Sequence, residues 1–159
     1  MLDLLIIADR DLDQAQSTLL AIRNAGFDYP IFYVRSSAAL IARLSAPASK
    51  APRPSSILID IGLLRECGPE LMRCLHQPDA SRIEVTALLS SERERFQLEQ
   101  CGFRQIGYLV RPVKPVDVLG LLGLHATSRT PPAGNPRLLW PASPDRLAHT
   151  AVAATSRHT

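Results

Sequence analysis

Ile57-Leu58-Ile59-Asp60, entered through Ser56 and left through Ile61, is the stretch that decides the fold. Three consecutive aliphatic residues with no polar alternation are what a strand buried on both faces requires. The run stops on a carboxylate, so a polar group is delivered to the strand's carboxyl end. Four further runs of the same kind flank it: Leu4 to Ile7, Ile31 to Val34, Val85 to Leu89 and Ile106 to Val110. Helical spacing separates them. Leu12, Ala15, Leu19 and Ile22 recur at three- and four-residue intervals and stop at Gly26. Ser36 stands ready to cap a short helix through Leu44, and Ala46 to Ser55, with three prolines, reads as a long loop. A helix is expected around Pro69 to Leu75, another from Ser91 to Gln100 with Gly102 as its stop, and a last one after Lys114-Pro115 to about Leu124.

Five buried strands alternating with five helices in about 124 residues leave little choice of architecture. Crossovers of that length enforce parallel strands, and the helices must cover both faces of the sheet. The expected fold is a three-layer α/β sandwich with a five-stranded parallel sheet. Sites in such folds lie at the carboxyl ends of the strands. Here those ends carry Asp9, Asp60, Ser90 and Arg111.

Composition narrows the function classes. The chain has 159 residues, of which 46% are hydrophobic but only 5% aromatic, so the core must be aliphatic. Its net charge of +3 is unevenly placed. Residues 1–124 hold fourteen Lys/Arg and fourteen Asp/Glu, whereas 125–159 hold four Arg and one Asp. The neutral part gives no case for a nucleic-acid surface, and the four arginines beyond it are too widely spaced to form a basic patch. Residues 125–159, with five prolines and one apolar cluster at Leu138-Leu139-Trp140, are expected to form a disordered tail after a single domain over 1–124. No apolar run is long enough to span a membrane, and the first residues lack the basic region and cleavage site of a signal peptide, so a cytoplasmic location is expected. Cys67, Cys74 and Cys101 have no zinc-type spacing, and Cys67 and Cys74 lie about 10 Å apart along a helix, too far for a disulfide.

Ile57-Leu58-Ile59-Asp60 with Gly68 eight residues later, and Tyr108-Leu109-Val110-Arg111-Pro112, give the chain a resemblance to the receiver domain of bacterial two-component response regulators. The acidic turn Asp9-Arg10-Asp11 and Ser90 after the fourth strand add to it. The resemblance covers about Leu2 to Leu124 and implies a flavodoxin-like three-layer α/β sandwich whose five-stranded parallel sheet has the order 2-1-3-4-5. It implies phosphorylation of Asp60, with Ser90 contacting the phosphoryl group, Arg111 in place of the family lysine, and Tyr108 as the switch aromatic. It also implies Mg²⁺ held by Asp9, Asp11, Asp60 and the Gly62 carbonyl. A carboxylate can attack a phosphoryl group in line, and the charge on that group must be neutralised.

The departures from the family pattern are chemical. The family has two adjacent acids after the first strand. Aligned without gaps to Gly26, Asp9 takes the first position and Arg10 the second, and a guanidinium cannot coordinate Mg²⁺. Sliding the register to put Ala8 and Asp9 in the pair restores the second acid but shortens the first helix. In the ungapped register, which is preferred, Asp11 one residue on is a substitute, or Arg10 points to solvent. With Arg10 and Arg111 both facing Asp9 and Asp60, the acids would be held in internal ion pairs and bind Mg²⁺ poorly. Leu64 stands where the family often has proline. Ser90 has a second reading as the cap of the following helix, Tyr108 as plain packing, and Glu92-Arg93-Glu94-Arg95 as a solvated face.

The expected function is a stand-alone receiver-like module of a phosphorelay, with no enzymatic activity beyond accepting a phosphoryl group on Asp60. Its implied partners are a sensor histidine kinase or phosphotransfer protein, a downstream protein at the last helix and fifth strand (Tyr108 to Leu124), and a second copy in a homodimer. No nucleic acid or membrane is implied. The alternatives are a pseudo-receiver, using the same fold for constitutive contacts, and a small nucleotide-binding protein or enzyme. The latter is disfavoured because the first strand runs into Ala8-Asp9-Arg10-Asp11-Leu12-Asp13 and not into a glycine-rich phosphate loop.

Overall fold

The computed structural model describes residues 4–47, 49–77, 83–100, 102–103 and 106–126, with no side-chain detail for 122–126. The expected tail and Cys101 lie outside the described residues. Strands β1 (Leu5–Ala8), β2 (Ile31–Val34), β3 (Ser56–Asp60), β4 (Glu84–Leu89) and β5 (Gly107–Val110) form one sheet in the order β2-β1-β3-β4-β5, with every pair parallel. Helices α1 (Leu12–Asn24), α2 (Ser37–Ser45), α3 (Ile61–Leu75), α4 (Arg95–Gln100) and α5 (Pro115–Ala126) connect or close them. The parallel sandwich expected from the aliphatic runs, and the flavodoxin-like strand order implied by the resemblance, are the ones observed.

Side chains alternate across the sheet and so divide the core in two. Ile57 and Ile59 of β3 face one side, with Leu40 and Leu44 of α2, Leu63, Leu64 and Leu71 of α3, and Leu98 of α4. Leu58 faces the other, with Ala15 and Ile22 of α1 and Val118 of α5. All four residues of β1 are buried. Side chains there meet apolar core on both faces, where an unpaired charge would be costly, so the charged groups lie at the strand ends.

Local signals set the helix limits. Asp11 caps α1 by accepting the Asp13 and Gln14 N–H groups, and Ser36 caps α2 through the Ala39 N–H. Gly26, just past α1, has φ +86°, the left-handed conformation that glycine adopts without penalty. Pro115 is the first residue of α5, where its missing N–H costs nothing.

Two helices differ from the sequence expectation. α3 begins at Ile61 and not near Pro69, because Asp60 caps it and an apolar stripe of Leu64, Cys67, Gly68 and Leu71 runs through the proline. Pro69 and Arg65 are both exposed, so the Arg65 carbonyl deprived of its helical partner can turn to water. The segment after Ser91 starts as a 3₁₀ turn, Glu92–Glu94, before α4. Cys67 and Cys74 are buried free thiols, and burial pushes the Cys67 thiol pKa up.

Gly68 fixes how closely α3 approaches the chain after α4. A Cβ there would lie 2.6 Å from Cζ of the buried Phe103 ring. Gly68→Ala is therefore expected to destabilise the domain by about 1–3 kcal/mol, the usual range for overpacking, measured by urea denaturation. An unchanged midpoint would show that Phe103 yields freely.

Candidate functional site

The carboxyl edge of the sheet assembles the polar residues. Asp9 follows β1, Asp60 ends β3, Ser90 follows β4 and Arg111 follows β5. Because β1, β3 and β4 are neighbours, three of these positions are adjacent by topology alone. Arg111 comes from the edge strand and reaches back with a long side chain. Asp9, Arg10, Asp11, Gln14, Asp60, Ser90, Arg111 and Pro112 line a cleft of about 520 Å³. The Arg111-Pro112 peptide bond is cis.

The centre of the cleft is an ion triplet. Arg111 Nη1 donates to Asp60 Oδ1 at 3.0 Å, and Arg111 Nη2 pairs with Asp9 Oδ2. The remaining oxygens are held by backbone: Asp9 Oδ1 accepts the Asp11 N–H at 2.9 Å, and Asp60 Oδ2 accepts the Gly62 N–H at 2.9 Å. Gly62 permits that approach, since a Cβ on it would stand 2.8 Å from Asp60 Oδ2. Every oxygen of both carboxylates thus has a donor.

Magnitudes decide the ionisation of Asp9. Each close pair with Arg111 is worth about 4 kcal/mol at an effective dielectric of about 20, before desolvation is subtracted. Asp9 is 2% exposed, and that burial raises its pKa above the ordinary 3.8, with the neighbouring Asp60 and Asp11 charges adding to the rise. The Asp11 N–H and Arg111 oppose the shift without cancelling it. Asp60 is more open, with 19% of its side chain exposed.

Several expectations need correction. Arg10 does not face Asp9 and Asp60. It contributes to the rim of the cleft, but its guanidinium pairs with Glu66 of α3, whose other oxygen accepts the Ser37 hydroxyl at 3.0 Å. Both side chains of that pair are largely exposed, so its contribution to stability is small. Gly62 is not among the cleft residues: it sits in the first turn of α3, where helix geometry directs its carbonyl along the axis toward residue 66. Asp11 lines the cleft, but its carboxylate is occupied as the α1 cap.

Ser90 is exposed in the cleft wall and is not the cap of the next segment. Ser91 holds the N-cap position, without a side-chain hydrogen bond. The Ser90 N–H instead donates to Glu94 Oε2 at 2.6 Å. Tyr108 is half-buried against the α3/α4 side of the core and lies beneath Arg95, whose Cζ is 5.5 Å from the ring centroid. Glu94 and Arg95, expected to form only a solvated face, therefore touch both Ser90 and Tyr108. The four-residue interval between Ser90 and Glu94 was the available signal. Glu66 and Gln14 had none.

The acids do not fit a divalent cation. Among the described residues no group of three or more His, Cys, Asp or Glu could hold one. Asp9 and Asp60 are bridged by a guanidinium where a metal would have to enter.

No protein-family model and no curated protein matches the chain. Solved structures do. The bacteriophytochrome response regulator RtBRR aligns over 100% of this chain and 99% of its own, at 20% identity and TM-score 0.68. Response regulator RPA3017 in red light signaling of R. palustris aligns over 84% of this chain and 100% of its own, at 19% identity and TM-score 0.59. The Mn²⁺-bound form of response regulator Rcp1 aligns over 82% and 99%, at 22% identity and TM-score 0.59. At these identities the likeness establishes the fold: the chain has the fold of response regulator receiver domains.

The raised Asp9 pKa has a definite sign in stability. Between 3.8 and the raised value the folded state binds more protons than the unfolded, so this contribution stabilises at the acid end and is lost as pH rises. Thermal denaturation of wild type and Asp9→Asn from about pH 4 to pH 7 should show the variant gaining on wild type as pH increases. Parallel curves would contradict the assignment.

Proposed function

We propose that this chain, carrying the receiver fold, is a cytoplasmic signalling module that acts through protein–protein contacts, with Asp60 held in a standing ion triplet and not cycled by phosphorylation. The observation that carries the reading is the Arg111 guanidinium spanning Asp60 and Asp9. Ion pairing with the guanidinium lowers the nucleophilicity of the Asp60 oxygen it holds, and the Gly62 N–H fixes the orientation of the other. The solved response regulators of like fold support signalling over catalysis.

The partner surface we assign is the end of the sheet at β5 and α5. Val116 and Leu119 lie one turn apart on α5, 66% and 49% exposed, while Val113 and Val118 beside them are buried. Apolar side chains left outside a helix whose inner face is already packed suit a protein partner, either a downstream protein or a second copy.

A second reading has its own support. Asp60 is partly exposed at an open cleft with Ser90 on its wall, so a phosphodonor, or the kinase or phosphotransfer protein that delivers one, can reach it. Incubation with acetyl phosphate and Mg²⁺ followed by intact-mass analysis separates the two. The expected result is no phosphoryl increment on wild type. A stoichiometric increment that disappears in Asp60→Asn would establish the phosphorelay reading instead.

A further inference from the structure

We propose that Arg111 is the resident cation of the cleft and the one residue that keeps a divalent metal out. The inference rests on the reading above in taking this cleft as the functional site, and concerns which cation balances it.

The hydrogen-bond count at the two carboxylates is local: each of their four oxygens has one donor, although one formal negative charge is left over. Two carboxylates, Asp9 and Asp60, share one guanidinium, and each gives it one oxygen while a backbone N–H holds the other. A divalent ion bound by both acids would have to displace the guanidinium and leave it in the same cleft. Arg111 has 12% of its side chain exposed, and its Nε is buried with no hydrogen-bond partner. Retreat from the acids would leave a buried cation unpaired, so the guanidinium does not yield as a flexible surface lysine would.

Arg10 is excluded from this role by geometry. It occupies the position where the resemblance expects a metal-binding acid, yet its guanidinium is spent on Glu66, which Ser37 also holds. The native barrier to metal is therefore a single side chain, and replacing Arg10 leaves it in place.

Mn²⁺ is the probe, titrated into the full chain without any phosphodonor while its free fraction is followed by electron paramagnetic resonance. Wild type and Arg10→Asp are expected to leave millimolar Mn²⁺ free. Arg111→Gln, a neutral side chain that keeps some of the volume, should bind on the order of tenfold more tightly or better, and Arg111→Gln/Asp60→Asn should lose the gain. Circular dichroism establishes that each variant is folded, and Arg111→Met serves if the glutamine variant is not. Tight binding by wild type would overturn the proposal. So would an Arg111 variant that is folded and binds no better than wild type. Because no phosphoryl group is present, these results are independent of the mass assay: a phosphorylated Asp60 would refute the functional reading and leave the metal question to this titration.

Discussion

Burial of the two central strands on both faces is the constraint from which the rest follows. β1 and the middle of β3 are aliphatic and inaccessible, with Ile6, Ile7, Ile57 and Ile59 fully buried. Such strands can be covered only by helices on either side, which requires parallel crossovers and brings the strand ends of β1, β3 and β4 into one row. Asp9, Asp60 and Ser90 stand along that row. The cleft is thus a consequence of the core, and Asp60 links them: it is the last residue of β3 and the cap of α3.

Within the cleft, the choice of arginine at position 111 sets the chemistry. Lysine would offer one compact charge. Arginine offers a fork, and here each terminal nitrogen serves a different carboxylate, one from β1 and one from β3. The guanidinium joins the ends of two strands through side chains while remaining mostly buried. Its attraction to Asp9 is outweighed by the cost of removing that carboxylate from water, which is why the Asp9 pKa is raised even beside a cation. The triplet is better understood as a device that specifies the cleft's geometry than as a large source of stability.

A second set of contacts surrounds the first. Glu66 draws Arg10 outward, Glu94 holds the Ser90 N–H, and Arg95 lies over Tyr108. Each ties an exposed loop or helix start to a residue at the site, and each uses a charged side chain on the surface. Such contacts are individually weak. They bear on the placement of the β4–α4 connection and of the Tyr108 ring more than on overall stability.

The architecture was legible in the sequence because its cause is local and periodic. Five aliphatic runs of strand length, separated by helical spacing and punctuated by Asp11, Ser36, Gly26 and Pro115, determine the elements, their succession along the chain and the parallel crossovers. The same logic placed Asp9, Asp60, Ser90 and Arg111 at one edge. It failed at α3, where a proline inside the helix looked like a start, because the capping bond that Asp60 accepts from the Gly62 N–H precedes it by seven residues. What only the tertiary structure decided was which charge meets which. Arg111 is 51 residues from Asp60 and 102 from Asp9, whereas Arg10 is next to Asp9 in sequence and turns away from it to Glu66. Long charged side chains select partners from whatever the folded chain brings within their reach, and no pattern along the sequence encodes that neighbourhood.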